Sequence, residues 1–225
     1  MGFDTYMFHL FSRKGYRYYG TPSNRTIFPP RIGTFIQSQP TAAKKVSYWI
    51  TRPHTSKTRL PIVYFHGIGV GLYTYAAWIE RLDKALNAGR GADDQVAIVM
   101  LELPYISSRL SYYSIPRKAE LLEEFTTILD HHYIHKFVLA GHSYGSIFST
   151  YILRDPKLSS RVVSSLLVDP VAIMLHMPDV AYNFTVRAPT GANEWQLWYF
   201  ASKDPGVAHT LGRYVFQNQR PQNHS

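Results

Sequence analysis

The sequence predicts an α/β fold in which helices cover both faces of a mostly parallel central sheet. Two observations lead to this prediction. Short apolar runs of the kind found in doubly buried parallel strands recur along the 225-residue chain. Stretches with apolar residues at helical spacing separate these runs, and strands that alternate with helices pair in parallel through right-handed crossovers.

The first half of the predicted sheet begins at Lys45. Alternating residues predict a half-buried strand at 45–51, and a continuous apolar run predicts a buried strand at 59–65, before the turn HGIGVG. A helix is predicted next, because four apolar residues recur at helical spacing: Tyr75, Trp78, Leu82 and Leu86. The run QVAIVMLEL then predicts another buried strand, which Pro104 ends.

The second half of the sheet follows the same pattern. A helix is predicted to begin near Pro116. Its apolar stripe consists of Leu121, Phe125 and Ile128. The stretch KFVLAGHSYGSIFSTYIL predicts a strand, a sharp turn and a helix that ends at Asp155 and Pro156. The run RVVSSLLVDPV predicts a further buried strand.

These patterns divide the chain into four parts. They are a basic, aromatic N-terminal segment (1–44), the α/β core (45–175), an aromatic-rich lid or cap-like region (176–216) and a polar tail (217–225). The N-terminal segment has no steady strand or helix period, which predicts short strands and loops. The aromatic residues of the third part are more typical of core or lid packing than of a lipid pocket.

The composition excludes several classes of protein. The chain has no cysteine, which excludes disulfide scaffolds, zinc-thiolate sites and cysteine nucleophiles. No uncharged apolar stretch reaches the roughly 18 residues that a membrane-spanning helix needs. The first residues lack the apolar core of a secretory signal peptide. We therefore expect an intracellular protein, either cytoplasmic or peripherally associated with a membrane.

The formal charge of +9 lies in the first part of the chain. Residues 1–60 contain ten Lys or Arg and one acidic residue, Asp4, whereas the remainder is neutral. Such a segment is either a solvated surface or a contact with anionic lipid headgroups, and we expect an anionic membrane surface as a partner through residues 1–60. The sequence contains no recognised nucleic-acid-binding motif, so we expect no nucleic-acid partner.

The residues that predict chemistry lie in the turn GHSYG, which follows a strand and precedes a helix. A nucleophilic serine here, Ser143, has to project its hydroxyl from a strained turn, and Gly141 and Gly145 remove side chains that would collide. The start of the following helix would also favour developing negative charge. The alternative is a serine that only caps the helix, but the strand and helix together favour the nucleophile.

A second motif, HGIG at 66–69, ends a strand about 75 residues before the serine. Acyl transfer needs backbone N–H groups that face the oxyanion, and we expect them from Ile68 and from Tyr144, the residue after the nucleophile. His66, Gly67 and Gly69 would shape the first of these loops, and His142 lies inside the second. For His66 we favour a structural hydrogen bond over a role as base.

The motifs FHGIG and GHSYG, each at the end of a strand, resemble those of the α/β-hydrolase superfamily over residues 45–175. The resemblance implies a serine hydrolase that uses a Ser, an acid and a His in this order on an ester or related acyl substrate, and we expect no cofactor and no metal. Relatives continue with two more strands, whereas only 82 residues follow Ser143 here and no apolar run follows Phe216. We therefore expect the fold to be incomplete after its sixth core strand.

The acid and the base of the expected triad remain open in the sequence. Asp169 and Asp204 are the candidate acids, and Asp169 is preferred because it ends the strand next to Ser143, although Asp169-Pro170 also fits a simple turn. The candidate bases are His176, His209 and His224, among which His209 is preferred. A further group, His131, His132 and His135, closes a helix, where cations suit the helix dipole better than a metal site.

Two hypotheses therefore follow from the sequence. The leading one is a serine hydrolase with Ser143, Asp169 and His209 as catalytic residues. The alternative is a catalytically inert fragment that keeps the fold as a binding scaffold. Acyl transfer to an acceptor other than water would use the same residues as hydrolysis.

Overall fold

The structure is a computed structural model that describes residues 2–21, 27–28, 38–111, 116–173 and 178–210. The strands within these residues are β1 (Arg17–Tyr19), β2 (Ile27–Phe28), β3 (Ser38–Gln39), β4 (Tyr48–Ile50), β5 (Ile62–Phe65), β6 (Ile98–Leu101), β7 (Leu110–Ser111), β8 (Phe137–His142) and β9 (Val162–Val168). The α-helices are α1 (Gly2–Arg13), α2 (Ala76–Asn87), α3 (Lys118–His131), α4 (Gly145–Leu153), α5 (Pro156–Ser159), α6 (Pro178–Thr185), α7 (Ala192–Leu197) and α8 (Pro205–Thr210).

Seven of these strands form one sheet in the order β3-β1-β4-β6-β5-β8-β9. The strands β6, β5, β8 and β9 are parallel, whereas β4 runs antiparallel to both β6 and β1. The strands β2 and β7 form a separate antiparallel pair. The predicted α/β class with a mostly parallel sheet is confirmed.

Helices pack on both faces of the sheet because the central strands are apolar on both sides. In β5, Val63 and Phe65 belong to one apolar cluster and Tyr64, which points the other way, belongs to a second. The first cluster includes the buried faces of α3 and α4, and the second includes those of α1 and α2. The continuous apolar runs in the sequence are thus typical of strands that helices cover on both faces of the sheet.

The N-terminal segment differs from its prediction as short strands and loops, because its first residues form α1. Met7, Phe8 and Phe11 lie on one side of this helix and are buried. The rings of Phe8 and Phe11 pack edge-on against Trp49, with centroids 5.0 and 5.2 Å away. The apolar stripe is only two turns long and polar residues interrupt it, so it escapes a search for a sustained period.

The strand β9 also differs from its prediction as a buried strand. It is the last strand of the sheet, and Val163 and Leu166 are 57% and 53% exposed. Its sequence is apolar, but burial depends on neighbours, and within the described residues β9 pairs only with β8. A strand at the edge of a sheet exposes backbone groups as well as side chains.

Residues 178–210, within the predicted lid or cap-like region, form short helices and a π-helical turn, Trp198–Ser202. Ala201 and Val207 are buried there, and α8 packs against the 3-10 turn Pro104–Ile106. The polar tail at 217–225 lies outside the described residues. No helix in the described ranges is long and apolar enough to cross a membrane.

Candidate active site

The turn from β8 into α4 holds Ser143 in a strained conformation. The φ angle of Ser143 is 49°, in the left-handed region that a non-glycine residue rarely adopts. Its N–H donates to the carbonyl oxygen of Val168 on β9, at 2.9 Å, and the residue is only partly buried. Ser143 therefore sits at the carboxyl ends of the parallel strands, where ligands bind in sheets of this type.

The glycines on either side of Ser143 allow close approach of neighbouring chain segments. A Cβ at Gly145 would lie 2.8 Å from the carbonyl carbon of Phe65, at the end of β5. A Cβ at Gly141 would lie 2.5 Å from Oγ of Ser149 and 3.1 Å from the carbonyl oxygen of Gly145. Side chains at these two positions would collide with β5 and with α4 itself.

The loop at residues 66–69 packs directly against the turn at Ser143. A Cβ at Gly67 would lie only 3.0 Å from Cβ of Ser143. The N–H of Gly67 donates to Oη of Tyr75 and the N–H of Gly69 donates to the carbonyl oxygen of Ile106, each at 3.1 Å. For the N–H of Ile68, by contrast, the described part of the chain provides no acceptor.

His66 holds this loop through both of its ring nitrogens. The side chain is fully buried, and the N–H of Leu103 donates to its Nε2 at 3.1 Å. Nε2 is therefore an acceptor, which assigns the proton to Nδ1, and Nδ1–H donates to the carbonyl oxygen of Gly67 at 2.7 Å. Burial lowers the pKa of His66, so the ring stays neutral.

The hydrogen bond from His66 also orients the amide of Ile68. In a trans peptide the C=O and the N–H point in opposite directions. Because His66 fixes the carbonyl of Gly67, the N–H of Ile68 in the same peptide unit points away from His66. This leaves a fixed, unused N–H donor in the loop beside Ser143.

His142, inside the turn, contacts both Tyr75 and Asp169, which lie far apart in the sequence. Its Nδ1 is 2.8 Å from Oη of Tyr75. Its Nε2 lies 3.8 Å from Oδ2 of Asp169, which follows β9 with a φ angle of 47° and is largely exposed. The structure thus brings the predicted acid to the turn, beside the histidine that precedes Ser143.

The alternative acid Asp204 and the predicted base His209 lie at the two ends of α8. Asp204 caps this helix, since its Oδ1 accepts the N–H of Val207 at 3.0 Å, and His209 is exposed near the helix end. In the described ranges no side chain hydrogen-bonds to Oγ of Ser143, so the structure does not join His209 to Ser143. The alternatives His176 and His224 lie outside the described residues.

The histidines at the end of α3 have structural contacts. Nε2 of His132 is 2.9 Å from Oη of Tyr48, and burial lowers the pKa of His132 to about 4. His132 is therefore uncharged at neutral pH and does not act as a cation at the helix end, in contrast to our interpretation of the sequence. Among the described residues, no three His, Cys, Asp or Glu side chains are placed together to hold a metal ion.

The sequence of the chain also matches a known protein family. Residues 62–222 match the model of the alpha/beta hydrolase family. The chain belongs to this family. It is 32% identical over 136 residues to the abhydrolase domain-containing protein abhd-5.2 of Caenorhabditis elegans, a match that covers 58% of this chain and 28% of that protein. The chain thus spans less than a third of this relative's length.

Similar solved structures include two from carboxylesterase studies. The carboxylesterase CesB of Bacillus subtilis is 12% identical, with a TM-score of 0.46 over 87% of this chain and 65% of the other. A structure from a study of carboxylesterases of the archaeon Nitrososphaera gargenis is 20% identical, with a TM-score of 0.46 over 78% and 71% of the two chains.

One residue of the candidate site could not be recognised from the sequence. Tyr75 was assigned to the apolar stripe of the predicted helix, but its hydroxyl contacts both Gly67 and His142. The only signal in the sequence was a phenol at the start of a helix that follows the HGIG loop. Helical spacing predicts which side a residue faces and not what its polar end reaches.

Proposed function

We propose that this chain is a serine hydrolase of ester or related acyl substrates, with Ser143 as the nucleophile. The observation that supports this proposal is the left-handed backbone of Ser143, held at the carboxyl ends of the strands beside the free N–H of Ile68. The family of the chain agrees with hydrolysis at the coarse level.

In the proposed reaction, Oγ of Ser143 attacks the acyl carbonyl while a histidine accepts the hydroxyl proton. The carbonyl oxygen becomes an oxyanion, which the N–H groups of Ile68 and Tyr144 would stabilise. The histidine then protonates the leaving group, and water releases the acyl group from Ser143. His209 as the base and Asp169 as the acid remain predictions from the sequence.

Labelling with a fluorophosphonate probe tests the proposal, because such probes react with activated serines. We expect the purified chain to be labelled and Ser143→Ala to lose the label. The matched control is Ser164→Ala, which removes the hydroxyl of an exposed serine on β9. Labelling that persists in Ser143→Ala, or a folded chain that never reacts, would remove the proposal.

A catalytically inert binding scaffold is the second candidate. It is favoured by one observation, that Oγ of Ser143 has no hydrogen-bond partner within the described residues. If the chain is inert, wild type and Ser143→Ala should melt at the same temperature, and neither should be labelled. A chain that reacts with the probe but passes its acyl group to an added alcohol faster than to water would instead be an acyltransferase.

We further propose that residues 1–60 contact an anionic membrane surface, and that the protein is cytoplasmic or peripherally bound to a membrane. Lys57 and Arg59 are exposed in the loop between β4 and β5, which lies at the opposite end of the sheet from Ser143. Lys14 and Lys45 instead pair with acidic side chains. Sedimentation with phosphatidylserine vesicles tests this: Lys57→Glu/Arg59→Glu should bind less, and equal binding would contradict it.

A further inference from the structure

The hydroxyl of Tyr75 joins the two halves of the candidate active site. Its Oη lies 3.1 Å from the backbone nitrogen of Gly67, in the oxyanion loop, and 2.8 Å from Nδ1 of His142, in the serine turn. One phenol therefore touches both segments that have to be aligned for attack on an acyl carbonyl.

The direction of the first hydrogen bond can be assigned. The N–H of Gly67 can only donate, so Oη of Tyr75 accepts from it. Between Oη of Tyr75 and Nδ1 of His142 the donor is set by the tautomer of the ring, because a phenol oxygen can accept a second hydrogen bond as well as donate one. The other ring nitrogen, Nε2, faces Oδ2 of Asp169 at 3.8 Å.

Together with His66, Tyr75 fixes the peptide units on both sides of Gly67. His66 binds the carbonyl oxygen of Gly67 at 2.7 Å, and Tyr75 binds its N–H at 3.1 Å. Gly67 is buried and packs against Ser143, so a small rotation of either peptide unit would move the N–H of Ile68. A misplacement of about 1 Å can cost about a hundredfold in rate.

We infer that Tyr75 is a positioning residue, whose hydroxyl aligns the N–H of Ile68 with Ser143 by tying Gly67 to His142. The catalytic consequence rests on the proposed function. The role belongs to the hydroxyl rather than to the ring, which packs against Tyr64 and His142 with centroids 5.3 and 5.5 Å away. A phenylalanine would keep these ring contacts and lose the hydrogen bonds to Gly67 and His142, together with the contact between the hydroxyls of Tyr75 and Tyr64.

The first test compares the rate of fluorophosphonate labelling in two Tyr→Phe variants. Tyr75→Phe should react on the order of tenfold more slowly than wild type, because an oxyanion donor is misplaced rather than removed. Tyr73→Phe is the matched control: it removes a hydroxyl from the same 3-10 turn, Tyr73–Tyr75, where the ring of Tyr73 packs on Tyr6, and should react at the wild-type rate. Equal rates for the two variants would overturn the inference and leave the proposed function intact.

Two variants of His142 test whether the link runs through Nδ1. His142→Asn keeps a hydrogen-bond acceptor near the position of Nδ1, whereas His142→Gln extends its amide toward Asp169. If Tyr75 acts through His142, the asparagine variant retains more of the labelling rate than the glutamine variant. The reverse order would assign the effect to the contact with Asp169 and would overturn the inference.

A measurement that does not need activity keeps the inference testable if the proposed function fails. Hydrogen exchange of the Gly67 amide, followed by NMR on ¹⁵N-labelled protein, should be at least several-fold faster in Tyr75→Phe than in Tyr73→Phe, since only the first variant removes the acceptor. Unchanged exchange would overturn the inference whatever the labelling shows. Wild-type protein that is never labelled would contradict the proposed function alone.

Discussion

The substitution Gly145→Ala tests how tightly the serine turn fits against β5. An alanine Cβ would collide most closely with the carbonyl oxygen of Phe65, and would also lie 2.8 Å from its carbonyl carbon and 3.0 Å from the carbonyl oxygen of His66, whereas ordinary contact begins at 3.4 Å. Because all three atoms are backbone, the segments have to separate by about 1 Å. Such overpacking costs about 3 kcal/mol, against about 1 kcal/mol that alanine gains over glycine in a helix.

The net loss of about 2 kcal/mol should lower the melting temperature by about 6 °C for a chain of this size. Fluorophosphonate labelling should also slow, since the loop at residues 66–69, which carries the proposed oxyanion donor Ile68, follows Phe65 and moves with it. The matched control is Gly191→Ala at the start of α7, where no atom lies within 4 Å of an added Cβ. If Gly145→Ala melts at the same temperature as Gly191→Ala, the fit is looser than this reasoning requires.

Two further predictions concern stability and solubility. Between about pH 4 and 6.5, His132 binds fewer protons in the folded state than in the unfolded state. The free energy of unfolding should therefore fall by about 2 kcal/mol as the pH drops through that range, after allowance for partial exposure. Urea titrations measure this loss, and a loss of the same size in His132→Gln would contradict the prediction. Leu166→Lys, on the exposed edge strand β9, should reduce concentration-dependent light scattering more than Leu153→Lys on α4, and equal scattering would count against an edge effect.

The central strands could be predicted from the sequence because their environment leaves a local mark. Strands such as β5 and β6 are covered on both faces, and this requires a continuous apolar run. The burial of β9 could not be predicted in the same way, since an apolar strand at the edge has the same composition as one in the centre. The helix α1 was missed because its partner Trp49 lies about forty residues further along the chain.

For the candidate site, the sequence could predict where the motifs lie in the fold, but not which side chains contact each other. In a parallel sheet the ends of β5 and β8 meet at one edge, so the motifs that follow these strands have to lie together. The contact between Tyr75 and His142 spans 67 residues, and no local pattern encodes it. The same reason left the triad open, because the approach of an acid or a base to Ser143 depends on how the segments after β9 fold over the sheet.

The conformation of Ser143 argues against the capping interpretation of its sequence motif. A capping serine would accept a hydrogen bond from an N–H in the first turn of α4, but the residue at the cap position is Tyr144, and within the described residues no N–H donates to Oγ of Ser143. The left-handed backbone costs on the order of 1 kcal/mol or more, and neighbours hold it in place: Val168 accepts its N–H, and the hydroxyl of Ser146 donates to its carbonyl oxygen at 2.6 Å. The strain is maintained by surrounding contacts and is not explained by a cap, and it is the strained turn that the proposed nucleophile requires.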